Sequence, residues 1–230
     1  MIDLYAWPTP NGYKISIALD EMKLPYNVVA VDIGAGDQFK PEFLKISPNN
    51  RMPAIVDSEG PDGKPISVFE SGAILIYLAE KTGLFMPKDT RGKVKVLEWL
   101  MVQMASVGPM FGQNGHFRAY APEKIAYALD RYGNETKRIY GVLDRRLAEA
   151  PYLAGDYSIA DMATFPWTRS HARQGIEIAE YPNVKRWIDA IAARPAVEKG
   201  LELLKDRVRT QPIDEKQRDV LFGKQQYARR

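Results

Sequence analysis

Hydrophobic and polar positions follow one pattern up to about residue 82 and another beyond it. In the first part, short apolar runs alternate with stretches of helical spacing. Residues 2–4, 26–31, 54–56 and 66–69 are rich in Ile, Val, Leu, Tyr and Phe and read as strands. Residues 11–22 place Ile15, Leu19 and Met22 on one helical face, and 71–81 do the same with Ile74, Leu75 and Leu78. A short helix fits 41–46. The order β-α-β-α-β-β-α predicts a mixed sheet with helices over residues 1–82.

Residues 83–88 read as a linker, and no strand pattern recurs after them. Helices are predicted over 89–105, 122–150, 182–193 and 195–207. The second of these carries Ile125, Leu129, Tyr132, Ile139, Leu143 and Leu147 on one face. Ser158-Ile159-Ala160-Asp161 has the spacing of a capping box, and Pro166 predicts a kink in the helix it opens. The expected layout is an α/β domain (1–82), a linker (83–88), an all-α domain (89–208) and a polar, loosely held extension (209–230).

Composition narrows the chemistry. The 230 residues include no cysteine, which excludes a disulfide framework, a Cys-x-x-Cys motif, a Cys nucleophile and a thiolate metal site. The two histidines, His116 and His171, match no metal-ligand spacing, so no metal is expected. The longest apolar run, 72–79, is far too short to span a membrane, and the first residues carry no signal-peptide pattern. A cytoplasmic protein is expected. Residues 1–85 have a net charge of −4 and residues 86–230 a net charge of +7. The basic surplus is spread along helices, which favours solvated faces over a nucleic-acid surface.

Three junctions carry candidate chemistry. In Trp7-Pro8-Thr9-Pro10-Asn11-Gly12, prolines and a glycine force a tight strand-to-helix turn, and Asn11 reads as the N-cap. The helix start favours an anion, with Thr9 and Asn11 beside it. In Ser47-Pro48-Asn49-Asn50-Arg51-Met52-Pro53-Ala54, a cis Met52–Pro53 bond would offer the Met52 backbone to an extended peptide. In Phe69-Glu70-Ser71-Gly72, Ser71 reads as an N-cap whose helix holds a carboxylate, and Glu70 suits an ammonium. Each alone is compatible with plain capping or an ordinary turn. Together they fit an extended peptide with a zwitterionic end and a thiol.

These residues resemble a known family. Segments 9–12, 37–39, 47–54 and 69–75, with 115–117, 127–132 and 158–162, resemble the nu class of cytosolic glutathione transferases up to about residue 205. The resemblance implies a thioredoxin-like domain followed by an all-helical one, in a homodimer. It implies glutathione as co-substrate, with disulfide-bond reduction as the activity. It gives Thr9 and Asn11 the glutathione sulfur, Gln38 the glycine end, and Met52 the cysteinyl backbone. Glu70 and Ser71 would take the γ-glutamyl ammonium and carboxylate, and Arg131 the neighbouring subunit's glutathione. Arg51 is a further candidate for the glycine carboxylate, and Tyr5 reads as packing. His116, near Phe111, Phe117 and Tyr120, fits either a second-substrate pocket or a structural histidine. Thioether cleavage, peroxide reduction, conjugation and a non-catalytic glutathione-binding scaffold stay open as alternatives.

Overall fold

The computed structural model describes residues 1–228. The chain packs as two compact units: Met1–Ile74 with Lys199–Arg230, and Leu75–Glu198.

The first unit is built on β1 (Ile2–Ala6), β2 (Tyr26–Ala30), β3 (Ala54–Asp57) and β4 (Ile66–Phe69). The sheet order is β2-β1-β3-β4; β1 runs parallel to β2 and antiparallel to β3, and β4 runs antiparallel to β3. Parallel pairing of β1 with β2 requires a crossover, which α1 (Pro10–Glu21) supplies. Alternate residues Ile2, Leu4 and Ala6 of the central β1 are buried, as the two-residue period of a strand demands. The edge strand β2 is mostly exposed.

Helix α1 is buried from Gly12 to Asp20. Such a helix needs cover on more than one side, and the returning chain provides part of it. Gly200 lies so close that a Cβ there would stand 2.7 Å from the Ile17 backbone, and its carbonyl accepts from Ser16 Oγ at 2.7 Å. Lys199 pairs with Asp20 at 2.6 Å.

Beyond the short α2 (Pro41–Leu44), α3 (Ser71–Thr82) leads from the first unit into the second. The second unit holds α4 (Thr90–Val102), α5 (Gly108–Ala119), α6 (Ala126–Glu149), α7 (Ile159–Thr168), α8 (Pro182–Ala192) and most of α9 (Pro195–Gly200). Its core includes Phe111, Tyr140, Phe165 and Trp187, all essentially inaccessible to solvent. Phe111 and Tyr140 stack at 5.1 Å between ring centroids. The predicted capping box at Ser158 forms. Asp161 accepts from the backbone N–H of Leu153 and Ser158, from Ser158 Oγ and from Trp187 Nε1, all within 3.1 Å. Burial pushes its carboxyl up to about 6 while these donors pull the other way.

Several boundaries differ from the sequence expectation for identifiable reasons. Residues 103–107 form a π turn that carries α4 into α5, a helix the apolar spacing does not show because Gly108, Pro109, Gly112 and Gly115 dilute it. The helix expected over 195–207 stops at Gly200, and Leu204 adopts a left-handed conformation with φ 47°. The extension expected to be loosely held instead forms α10 (Glu215–Phe222), opened by an Asp214/Gln217 capping box. Ile213 and Val220 are buried, enough apolar anchorage to fix the segment to the first unit.

Candidate functional site

The three junctions singled out in the sequence all lie in the first unit, at ends of its sheet strands. At the first, Thr9 rather than Asn11 is the N-cap of α1: Thr9 Oγ1 accepts from Gly12 N at 3.4 Å. The reason is Pro10, which occupies the first helical position, where its missing N–H costs nothing and its fixed φ suits a helix. Asn11 therefore stands one residue inside the first turn. A Cβ on Gly12 would stand 2.2 Å from the Trp7 carbonyl oxygen, so the turn closes only over a glycine.

At the second junction the Met52–Pro53 bond is cis. Met52 lies just before β3, outside the strand ladder, and its side chain packs on Val31, Phe43 and Ala54. Thr9 Oγ1 stands 3.7 Å from Met52 Sδ. Tyr5 packs on the same cluster, its ring 6.3 Å from that of Phe43, in keeping with a packing role.

At the third junction Glu70 has a left-handed backbone, φ 69°, which no helical residue adopts. Its carbonyl nevertheless accepts the first helical bond, from Ile74 N at 2.9 Å. Ser71 is thus the first residue of α3 rather than its N-cap. Asn49 Nδ2 donates to the exposed Glu70 carboxylate at 3.1 Å, tying the second junction to the third.

One residue here escaped the sequence reading. Lys14, on α1, is 1% exposed and donates from Nζ to Ser71 Oγ at 3.1 Å. Burial brings its ammonium down to about 7, with the Glu70 carboxylate pulling upward. The available signal was a Lys within a helix whose neighbours on every side, Tyr13, Ile15, Ser16 and Ile17, are themselves buried.

Gln38 sits in a 3₁₀ turn, Asp37–Phe39, after the left-handed Gly36. Its side chain is 3% exposed; Nε2 donates to the Ile33 carbonyl at 3.2 Å, and Oε1 is buried with no hydrogen-bond partner. Helix α10 lies against this loop, with Val220 Cγ1 3.7 Å from where a Gly36 Cβ would stand. Arg51 is exposed.

Arg131 belongs to the second unit, on α6, where it is exposed and paired with Glu135 at 3.8 Å. In the same unit the half-buried His116 packs edge-on to Phe117 at 5.3 Å, and burial holds its imidazole below the usual range. Phe111, on the same helix, is buried in the core. Among the described residues no group of acidic or histidine side chains is arranged to hold a metal, and no helix is long and apolar enough to cross a membrane.

Residues 1–80 match the family model for the glutathione S-transferase N-terminal domain, and residues 100–195 match that for its C-terminal domain. The chain belongs to the glutathione S-transferase family. Among relatives of this transferase is the disulfide-bond oxidoreductase YfcG of Escherichia coli, 54% identical over 203 residues, which are 87% of this chain and 94% of the relative. A glutathione transferase from Burkholderia graminis, solved with two glutathione molecules per subunit, superposes with a TM-score of 0.85 at 48% identity, covering 89% of this chain and 88% of that one. A Pseudomonas putida glutathione transferase, solved with one glutathione disulfide per subunit, has a TM-score of 0.85 at 45% identity over 88% of this chain and 91% of its own.

Proposed function

We propose that this transferase reduces disulfides with glutathione as co-substrate, holding the glutathione thiolate at the start of α1. The observation that carries the reading is the Thr9 hydroxyl at that helix start, next to the cis Met52–Pro53 segment, in a chain with no cysteine. Every reacting sulfur then comes from a ligand. Kinship with an oxidoreductase named for disulfides, and with a structure that contains glutathione disulfide, supports the substrate class.

The energetics are adequate. A thiol of pKa about 8.5 needs roughly 2.7 kcal/mol of preference for its thiolate to drop by two units. One hydrogen bond to a charged group supplies about 1.5–3 kcal/mol. A helix N-terminus adds about 0.3–1 kcal/mol. Thr9 as donor, with the first turn of α1 and the Asn11 amide close by, needs no protein base. The bound thiolate attacks one sulfur of the substrate disulfide; the S–S bond breaks, a mixed disulfide forms, and the other sulfur leaves as a thiolate that takes up a proton. A second glutathione thiolate attacks the mixed disulfide, expelling the remaining substrate thiolate and forming glutathione disulfide.

The rest of the ligand has matching partners. Glu70 suits the γ-glutamyl ammonium and Ser71, at the opening of α3, its carboxylate. The Met52 peptide would pair with the cysteinyl backbone. Gln38 Oε1 suits the N–H of the glycine residue, because an amide oxygen accepts and cannot bind a carboxylate. Arg51 is then the candidate for the glycine carboxylate. In this reading the enzyme is a cytoplasmic homodimer, and Arg131 reaches the partner's ligand. The domain layout keeps glutathione in residues 1–82 and the second substrate in 89–208.

The test is turnover of a small symmetrical disulfide with glutathione in wild type, Thr9→Ala and Asn11→Ala, with glutathione binding measured in parallel. Turnover in wild type that falls in the variants is expected. Glutathione binding without turnover would assign the protein to the scaffold class instead.

A further inference from the structure

Lys14 has no part in the chemistry above, yet its ammonium is buried and hydrogen-bonded to a residue of the ligand site. Taking an ammonium out of water is costly unless charge and hydrogen bonds compensate. One charged group acting on it is Glu70, whose own carboxylate is exposed and bonded to Asn49. Lys14 is therefore a titratable amine held in the protein next to a subsite, with the Glu70 carboxylate opposing it from the rim.

The bond between Lys14 and Ser71 sets polarity once Lys14 is charged. A charged lysine only donates, so Ser71 Oγ then accepts from Lys14 Nζ, and the serine O–H is directed to an acceptor. That arrangement suits an anion at Ser71 and opposes a cation there. It complements Glu70, one residue earlier, which suits a cation.

Building on the glutathione reading, we propose that Lys14 is a positioning residue that selects the γ-glutamyl carboxylate, by setting Ser71 as a donor and supplying positive charge from beneath it. The pulled-down ammonium fits this role. In the free protein Lys14 is only partly protonated near neutral pH, and an arriving carboxylate favours the charged form.

The decisive experiment uses S-methylglutathione, which has no thiol to titrate, and its analogue in which the γ-glutamyl residue is replaced by 4-aminobutyryl, so that only the carboxylate is missing. Binding of both is measured by calorimetry to wild type, Lys14→Met and Lys14→Gln, each first checked for a cooperative thermal transition. Affinity of the variants for S-methylglutathione should fall about 10- to 100-fold, while their affinity for the analogue stays within about twofold of wild type. Equal weakening toward both ligands would make Lys14 a packing residue and overturn the proposal, as would unchanged affinity. If wild type binds neither ligand, the glutathione reading itself fails, and this inference with it.

A measurement on wild type alone guards against variants that do not fold. At pH 7.5, binding of S-methylglutathione should take up a fraction of a proton, read from calorimetry in buffers of different ionisation enthalpy, and binding of the analogue should not. Absence of that difference would also overturn the proposal.

Discussion

The Thr9 hydroxyl lies 3.7 Å from the sulfur of Met52, a residue forty-three positions away in sequence. It also accepts from Gly12 N, which opens α1. One small side chain therefore caps the helix and touches the cis-proline segment. A thioether is a weak acceptor, so a thiolate arriving there would be the stronger partner and would draw the Thr9 proton away from Met52.

Thr9→Ser keeps that donor and should retain most of the activity, whereas Thr9→Ala removes it. Loss of one hydrogen bond to a charged sulfur is worth about 1.5–3 kcal/mol, so kcat/KM for disulfide reduction should fall about 10- to 100-fold. The pH–rate profile supplies the sharper reading. In Thr9→Ala its rising limb should move up by about one to two units, since the thiolate is less stabilised. An unchanged limb would remove Thr9 from thiol activation.

Gly12→Ala should damage stability and activity together. The added Cβ meets a backbone oxygen at 2.2 Å, and a backbone cannot step aside as a flexible side chain can. Overpacking of this kind costs about 1–3 kcal/mol, visible as a lower thermal midpoint. Gly115→Ala, with nothing near its Cβ position, is the matched control and should leave the midpoint within about a degree or raise it slightly.

Asp161→Ala should be among the most damaging single changes in the second unit. It strands the N–H groups of Leu153, Ser158 and Trp187 in a buried position. At about 1–3 kcal/mol for each buried unsatisfied group, a loss of at least ~3 kcal/mol is expected. For a chain of this size that lowers the midpoint by about 6–12 °C, measurable by calorimetry. A midpoint within about 2 °C of wild type would show that water or rearrangement satisfies these groups.

Lys14 also predicts how stability varies with pH in the ligand-free protein. Its ammonium titrates at about 7 when folded, against 10.5 for an ordinary lysine. Between those values the unfolded chain binds more protons than the folded one, so this residue makes stability rise with pH across that window. Below pH 7 both states hold the proton and the burial penalty is fully present. Denaturant melts at pH 6, 8 and 9.5 should therefore show Lys14→Met more stable than wild type by a margin that is largest at pH 6 and shrinks as pH rises. A margin independent of pH would place the ammonium in contact with water.

The sheet and its ligand-side junctions were legible because their signals are local. Strand runs such as 66–69, the prolines around Thr9 and the proline after Met52 announce themselves within a few residues. Helix starts shifted by one or two residues where a single backbone preference decided them: Pro10 took the first helical position and moved the cap to Thr9, and the left-handed Glu70 pushed Ser71 into α3. What could not be read was long-range. Lys14 is buried against Ser71, fifty-seven positions away, and nothing in its neighbours' polarity names that partner. Helix α10 looks polar because only Val220, with Ile213 ahead of it, is deeply buried, and the loop it covers, around Gly36, is nearly two hundred residues earlier. Arg131 was singled out by family resemblance alone; nothing in its helical spacing separates it from the other charged residues on α6.

The return of the chain at Lys199 to close over α1 has a bearing on how the protein is made. Ile17 meets Gly200, and Ser16 bonds to the Gly200 carbonyl, only once the chain has been made as far as residue 200. During synthesis the helical insert, Leu75–Glu198, is therefore complete in sequence before the sheet that precedes it has all of its own cover. Until that segment is made, the flank of α1 that it covers has no partner from it, so the first unit is complete in sequence only after the second.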